Sequence, residues 1–226
     1  MANDKYIYAM FALYVFVTVK QAQQILGCKF DYINVRLRRL EQTGFLGRVQ
    51  QNDFAPFVYF LSKTGAERAL GLGVAEEPRY ISKKSLMQIP HDIGITECQI
   101  ALFRNFSPLH VRRWRADLHK FYDGDLPDLS IDFHDGWGWS PFEYVRTNPV
   151  SDEKLAAYAT NHPRTLIVLP TIERVKRILT RLEESLPTSK LWFTYEEKFL
   201  EDPTGKVWWT PKNFRDRVYS ILKPEA

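Results

Sequence analysis

The sequence predicts a two-part mixed α/β chain of the α+β type, and three observations carry that prediction. Positive charge is concentrated at one end: residues 1–84 hold 12 Lys and Arg against 7 Asp and Glu, whereas residues 85–226 hold 19 against 20. The first third reads helix, turn, helix and then two short apolar strands. It closes near Gly71-Leu-Gly-Val-Ala-Glu-Glu-Pro78, where glycines, acids and a proline interrupt the periodic pattern. Beyond residue 85, strand-like and helix-like stretches alternate, as they do in mixed α/β domains. The expected domains are residues 1–75 and 85–226.

Composition narrows the function classes. With 226 residues, 45% hydrophobic and 26% charged, the chain can bury a core and lies outside the disordered regime. Two cysteines, Cys28 and Cys98, build neither a disulfide scaffold nor a four-ligand zinc site on their own. The apolar run Ala9 to Val17 falls well short of the roughly 20 residues of a spanning helix. Asp4 before it and Lys20-Gln21 after it argue against a secretory signal, so it reads as a buried first helix of a cytoplasmic protein with no membrane partner. Basic charge confined to the first third points to a polyanion-binding module.

The elements of that module follow in order. Residues 5–16 form an apolar helix. Thr18 caps a short helix from Val19 to Leu26, which Gly27 ends. A further helix starts at Asp31, carries the 3.6-period stripe Ile33, Leu37 and Leu40, and stops at Gly44. Strands around Phe45–Gln50 and Phe57–Ser62 are joined by a turn at Asn52-Asp53, and a helix from Thr64 to Leu70 closes the unit. This order is that of a winged helix-turn-helix. The stripe turned inward leaves Asn34, Arg36, Arg38 and Arg39 outward, with Lys29 at the start of the helix and Arg48 and Lys63 on the ribbon side. Guanidinium groups match phosphate oxygens or guanine edges and a carboxamide matches adenine, so these seven residues are the candidate contacts to double-stranded DNA. Read more plainly, three arginines within four residues are the solvated face of a helix, and such modules also dock proteins.

The second part begins with a helix over 89–106 bearing Ile89, Ile93, Ile100 and Phe103 on one side. Strands are expected at Val111–Ala116, Leu129–Phe133, Ser140–Arg146 and Thr165–Leu169, with a short helix from Asp152 to Tyr158 before the last of these. Thr171 caps a long helix bearing Ile172, Val175, Ile178, Leu179 and Leu182. Two aromatic strands, Leu191–Phe199 and Val207–Thr210, are expected to meet through Asp202-Pro-Thr-Gly205, and a last helix holds Phe214, Val218 and Ile221.

One constellation carries chemistry. Pro127-Asp128 leads into a strand, Glu143 lies on the next, and Lys154 sits on the helix that follows. Adjacent antiparallel strands bring Asp128 and Glu143 within reach of one cation. Mg²⁺ or Mn²⁺ needs only a few carboxylates, because water and substrate phosphate complete its shell. Such an ion orients and deprotonates water and neutralises a phosphodiester, with Lys154 assisting. In the bland reading Asp128 is a turn residue, Glu143 pairs with a base and Lys154 is solvated.

Asp, Glu and Lys in this order resemble the core of restriction-endonuclease-like nucleases. The wider pattern resembles the replication-relaxation family of plasmids and integrative elements over roughly residues 8–185. It is carried by the winged helix, the helix His91-Asp-Ile-Gly-Ile-Thr-Glu-Cys-Gln-Ile100, Pro127-Asp128, Phe142-Glu-Tyr-Val-Arg-Thr147 and Lys154-Leu-Ala-Ala-Tyr158. The resemblance implies a restriction-endonuclease-like mixed sheet with flanking helices behind the winged helix. It also implies a DNA-binding protein of plasmid or mobile-element replication, mobilisation or conjugation. Its enzymatic form is a metal-dependent nickase or relaxase with Asp128 and Glu143 as metal ligands and Lys154 as the charge-stabilising group. Its non-enzymatic form is a transcriptional regulator or accessory factor whose second domain dimerises or recruits partners. Expected partners are double-stranded DNA, locally opened in the nicking case, a second copy of the chain, and relaxosome or replication proteins. The sequence departs from the nuclease pattern at Val145, where the usual lysine stands two residues after the glutamate. Lys154 is the substitute, since strand alternation turns Arg146 to the other face.

Other features carry less. The five histidines show neither i,i+4 pairing nor a Cys-x-x-Cys partner, which argues against zinc; His119 and His134 flank the expected site as candidate bases. No P-loop, dinucleotide loop or nucleophile elbow is present. Trp137, Trp139, Trp208 and Trp209 suit stacking on unpaired bases, or more commonly a core or an interface.

Overall fold

A computed structural model describes residues 4–77, 80–81, 88–105, 110–113, 118–122, 126–134, 136, 138–146, 150–212, 214–215 and 218–220. Among them are eight helices and eight strands, and the chain divides into two compact units, Met1–Glu97 and Cys98–Ala226.

The first unit runs α1 (Asp4–Leu13), β1 (Val17–Thr18), α2 (Val19–Leu26), α3 (Phe30–Gln42), β2 (Leu46–Val49), β3 (Val58–Leu61) and α4 (Lys63–Gly71). The first helix is shorter than its apolar run predicts. It stops at Leu13 because Val17 and Thr18 pair with Tyr59 and Val58, adding a third strand to an antiparallel sheet of order β1-β3-β2. Thr18 then caps α2 through a reciprocal box: its hydroxyl accepts from Gln21 N (3.2 Å), and Gln21 Oε1 accepts from Thr18 N (2.9 Å). Such a cap contributes about 1 kcal/mol. Gly27 (φ 61°) occupies the left-handed position that ends α2. On α3, Ile33, Leu37 and Leu40 are buried, as the periodicity predicts. Asn52 builds the β2–β3 turn, its Oδ1 accepting from the backbone of Phe54 and Ala55.

The helix α5 (Ile89–Asn105) is buried nearly all round, including Ile95, Thr96, Gln99 and Leu102, rather than along the one-sided stripe its isoleucines suggest. Its residues 89–97 belong to the first unit, where Thr96 Oγ1 donates to Phe16 O (2.8 Å) and Ile93 O and Glu97 accept from the buried Gln21 amide.

The second unit contains β4 (His110–Arg112), β5 (Leu129–Asp132), β6 (Trp139–Tyr144), α6 (Asp152–Asn161), β7 (Thr165–Leu169), α7 (Ile172–Ser185), β8 (Leu191–Tyr195) and α8 (Glu196–Glu201). The sheet is mixed, of order β4-β5-β6-β7-β8: the first three strands are antiparallel, whereas β7 and β8 run parallel to β6. The crossovers are α6 and α7. They pack Leu155, Tyr158, Val175, Leu179 and Leu182 with Val145, Ile167, Leu169 and Phe193. Phe199 of α8 meets Phe142, the neighbour of Glu143 that points to the opposite face. With both faces covered, β7 is buried at every residue, and Thr-Leu-Ile-Val-Leu is the unbroken apolar run such a strand requires.

The tail differs from its prediction. Residues 196–199 are helical rather than the end of a strand. Glu196 and Glu197 fall in the first turn of α8, where acids complement the helix dipole, and Phe199 turns inward against Trp208. Asp202–Gly205 does form a turn, with Asp202 Oδ1 accepting from Thr204 N and Oγ1. It returns the chain so that Trp209 bridges Phe193 and Trp208 bridges Tyr219. Tyr219, inside the expected last helix, is therefore extended. Ile221 and the end of the expected strand 111–116 lie outside the described residues.

Candidate functional site

The chemistry-bearing cluster grows from the β5–β6 register. Leu129 pairs with Phe142, so Asp128, one residue earlier, stands beside Glu143 and Tyr144. Asp128 Oδ2 accepts from Tyr144 N (2.8 Å), which fixes its carboxylate at the mouth of β5. Glu143 points to the face covered by α6. Ser151 caps that helix through Lys154 N (3.2 Å), and the i,i+4 spacing then places Lys154 and Tyr158 on one side of it. Lys154 Nζ lies 2.9 Å from Glu143 Oε1, and the Tyr158 hydroxyl donates to the same oxygen (2.5 Å). Lys154 also donates to Leu126 O (3.2 Å) and stands 5.5 Å from the Tyr158 ring centre.

The electrostatics are set by burial. The Glu143 side chain is only 8% exposed. Desolvation and then the neighbouring Asp128 charge push its carboxyl up to about 7, against the opposing pull of Lys154 and Tyr158. Desolvation and the Glu143 charge push the Tyr158 hydroxyl far up, so it stays a donor. Asp128, Glu143 and Lys154, chosen from sequence, thus converge. Tyr158 enters as a second partner of Glu143, for which the Lys-Leu-Ala-Ala-Tyr spacing was the available signal. Val145 is buried in the core that α6 and α7 cover. Arg146 is exposed, and its carbonyl accepts from Arg174.

As a metal-binding set, two adjacent carboxylates suit a small hard cation. Both neighbouring cationic and hydroxyl contacts fall on Glu143 Oε1, not Oε2, and the repulsion between Asp128 and Glu143 is what a shared cation relieves. The residues therefore fit Mg²⁺ or Mn²⁺ as ligands. His134 does not flank this cluster: it follows Asp132, at the far end of β5 from Asp128. His119 is exposed in a turn.

In the first unit the seven basic and amide residues separate into two groups. Arg38, Arg39, Lys29 and Lys63 are exposed, and Asn34 is half-buried. Arg36 instead turns back to Asp4 of α1 in an ion pair that raises its own pKa, so its guanidinium ties α3 to α1. Arg48 lies over the Phe57 ring (4.4 Å) and 3.9 Å from Glu41. Of the tryptophans, Trp208 is fully buried, with Nε1 donating to Pro203 O (3.1 Å). Trp209 stacks on Tyr195, Trp139 covers the Arg112 guanidinium (3.5 Å), and Trp137 lies outside the described residues. Cys28 and Cys98 are not joined in a disulfide. No helix among the described residues is long and apolar enough to cross a membrane.

Compared with known protein families, curated proteins and solved structures, the chain matches none of them.

Proposed function

We propose that the chain is a DNA-binding protein of plasmid or mobile-element replication or mobilisation. In this reading its first unit is a winged helix-turn-helix, with α3 the recognition helix and the β2–β3 ribbon the wing. The observation that carries the reading is the outer face of α3. Its apolar stripe is buried, while Arg38 and Arg39 stand in solvent, with Lys29 at the helix start and Lys63 beyond the ribbon. Each phosphate-contacting cation contributes to the salt dependence of affinity, by close to one unit of log–log slope per contact. Replacing Arg38 and Arg39 together by alanine is expected to flatten that slope by about two units. Arg36→Ala is expected to leave the slope unchanged and to lower stability through loss of the Asp4 pair. Fluorescence anisotropy on duplex DNA from the protein's own gene neighbourhood, from low to moderate salt, measures both. An unchanged slope in the double variant overturns the DNA-binding reading.

The second unit, in this proposal, is restriction-endonuclease-like and nicks DNA. Asp128 and Glu143 would hold Mg²⁺ or Mn²⁺, which when bound polarises a phosphodiester and its attacking water. Lys154 neutralises charge on the phosphate, having exchanged Glu143 Oε1 for a phosphate oxygen. Tyr158 keeps its proton and holds Glu143 in place. A supercoiled plasmid carrying that neighbourhood is expected to become open circles with Mg²⁺ or Mn²⁺, and to stay supercoiled with EDTA or with Glu143→Ala.

A second reading rests on the ion pair itself. With Oε1 taken by both Lys154 and Tyr158, the cluster serves as a structural brace, and the protein is a regulator or accessory factor whose second unit dimerises or recruits replication partners. DNA binding without metal-dependent cleavage selects this reading.

A further inference from the structure

Strand register also assembles a second group of ligating side chains, away from the acid–lysine cluster. His110 opens β4 directly opposite Asp132, the last residue of β5, and His134 follows two residues later. Among the described residues these three form a group in which one ligand atom from each lies within 4.8 Å of the other two. The two imidazole rings meet edge to face with centres 4.5 Å apart.

The local backbone brings His134 back to this point. Asp132 Oδ1 accepts from His134 N (2.9 Å), and Oδ2 lies 3.5 Å from His134 Nδ1. This Asx turn holds His134 at φ 55°, the left-handed region that residues other than glycine seldom occupy. That conformation costs on the order of 1 kcal/mol. The three ligand-type side chains therefore stand on two hydrogen-bonded strands and the turn that directly follows one of them.

We propose that His110, Asp132 and His134 bind a divalent transition-metal ion, with Zn²⁺ the best-suited ion. The donor set decides the metal class: two imidazoles and one carboxylate favour Zn²⁺, Co²⁺ or Ni²⁺ over the all-oxygen preferences of Mg²⁺ and Ca²⁺. Tetrahedral coordination at about 2.0–2.1 Å places donor atoms about 3.4 Å apart. Both histidines are exposed, so their rings have room to close from within 4.8 Å toward that spacing. Three protein ligands leave the fourth position to water or to a ligand from outside, the open arrangement of zinc sites that act on substrates. The ion also ties the three-residue edge strand β4 to the turn after β5. Asp132 lies four residue steps along the chain from Asp128, about 13 Å in extended strand, so this site stands or falls independently of the nickase reading.

The test uses untagged full-length protein stripped of metal. Calorimetric titration with Zn²⁺ is expected to show one ion per chain, and Co²⁺ to give the visible absorption of a four- or five-coordinate ion. His110→Ala and His134→Asn, the latter chosen because asparagine tolerates the left-handed backbone, are each expected to weaken Zn²⁺ binding about tenfold or more. Glu143→Gln is expected to leave it intact. In the wild-type protein, Zn²⁺ is expected to shift the imidazole NMR signals of two of the five histidines, a readout that holds even if a variant fails to fold. Absence of stoichiometric binding overturns the proposal. So does binding that survives both histidine substitutions or moves signals other than those of His110 and His134.

Discussion

Replacing Lys154 by methionine is expected to lower the unfolding free energy by about 3 kcal/mol near pH 8, and by far less near pH 5. The pair is mostly buried, with Lys154 18% and Glu143 8% exposed, so removing the ammonium leaves a carboxylate in an apolar setting beside Asp128. Near pH 8 the wild-type carboxylate is ionised against Lys154; without the ammonium its pKa rises further, so the carboxyl either stays charged without its main counter-charge or takes up a proton. Near pH 5 it already carries a proton in the folded protein, and little is lost. The same carboxyl gives the wild-type protein a pH dependence of definite sign. It titrates near 7 when folded and near 4.5 when unfolded, so the folded state holds the extra proton between those values. Stability is therefore greatest below the lower value and falls as pH rises through the window, by up to about 3 kcal/mol from this group. Urea unfolding from pH 5 to 8 measures both effects. An equal loss in Lys154→Met at the two ends would show that Glu143 is not the group that feels the missing charge.

Gly65→Ala is the second large effect, expected to destabilise the first unit by about 3 kcal/mol. A Cβ at Gly65 would stand 1.9 Å from the backbone oxygen of Phe45 and 3.1 Å from Leu61 Cδ2. Backbone cannot rotate away as a side chain does, so α4 must lift from the start of β2. That movement also strains the Ser62 cap, whose hydroxyl accepts from Gly65 N (3.0 Å) and donates to Gly44 O (2.6 Å). Six residues along the same helix, Gly71 has open space around its Cβ position. Gly71→Ala is accordingly expected to raise stability by about 0.5–1 kcal/mol through helix propensity and a less flexible unfolded chain. Thermal melts of the two variants separate close packing from propensity. Equal shifts in both would mean that α4 does not press on Phe45.

The two clusters in the second unit follow from one sheet. At one end of β5, Asp128 is held by a backbone N–H, while its neighbour Glu143 is held by a lysine and a tyrosine from α6. At the other end, Asp132 is flanked by two imidazoles. Two antiparallel pairings, β4 with β5 and β5 with β6, set both groups, because register decides which side chains from distant parts of the chain stand side by side.

Much of the local structure is written in the sequence. Thr18 and Gly27 delimit α2, the Ile33, Leu37 and Leu40 period defines α3, Thr171 starts α7, and the run Thr165–Leu169 is a strand buried on both faces. These are signals of caps and periods, which act within a few residues and so survive in the sequence alone. The order Asp128, Glu143, Lys154 was legible for the same reason, since neighbouring strands and the helix that follows lie close along the chain. What only the tertiary structure decided involves partners far apart. Val17 and Thr18 became a strand because Val58 and Tyr59 offered an edge, and Arg36 left the solvent face of α3 for Asp4. Glu196–Phe199 became helix because Phe142 and Trp208 receive Phe199. His110 and His134 show no spacing that suggests a shared site, and the β4–β5 register with the left-handed turn at His134 unites them. Pairings across such distances are selected by packing and register, which no local run of residues encodes.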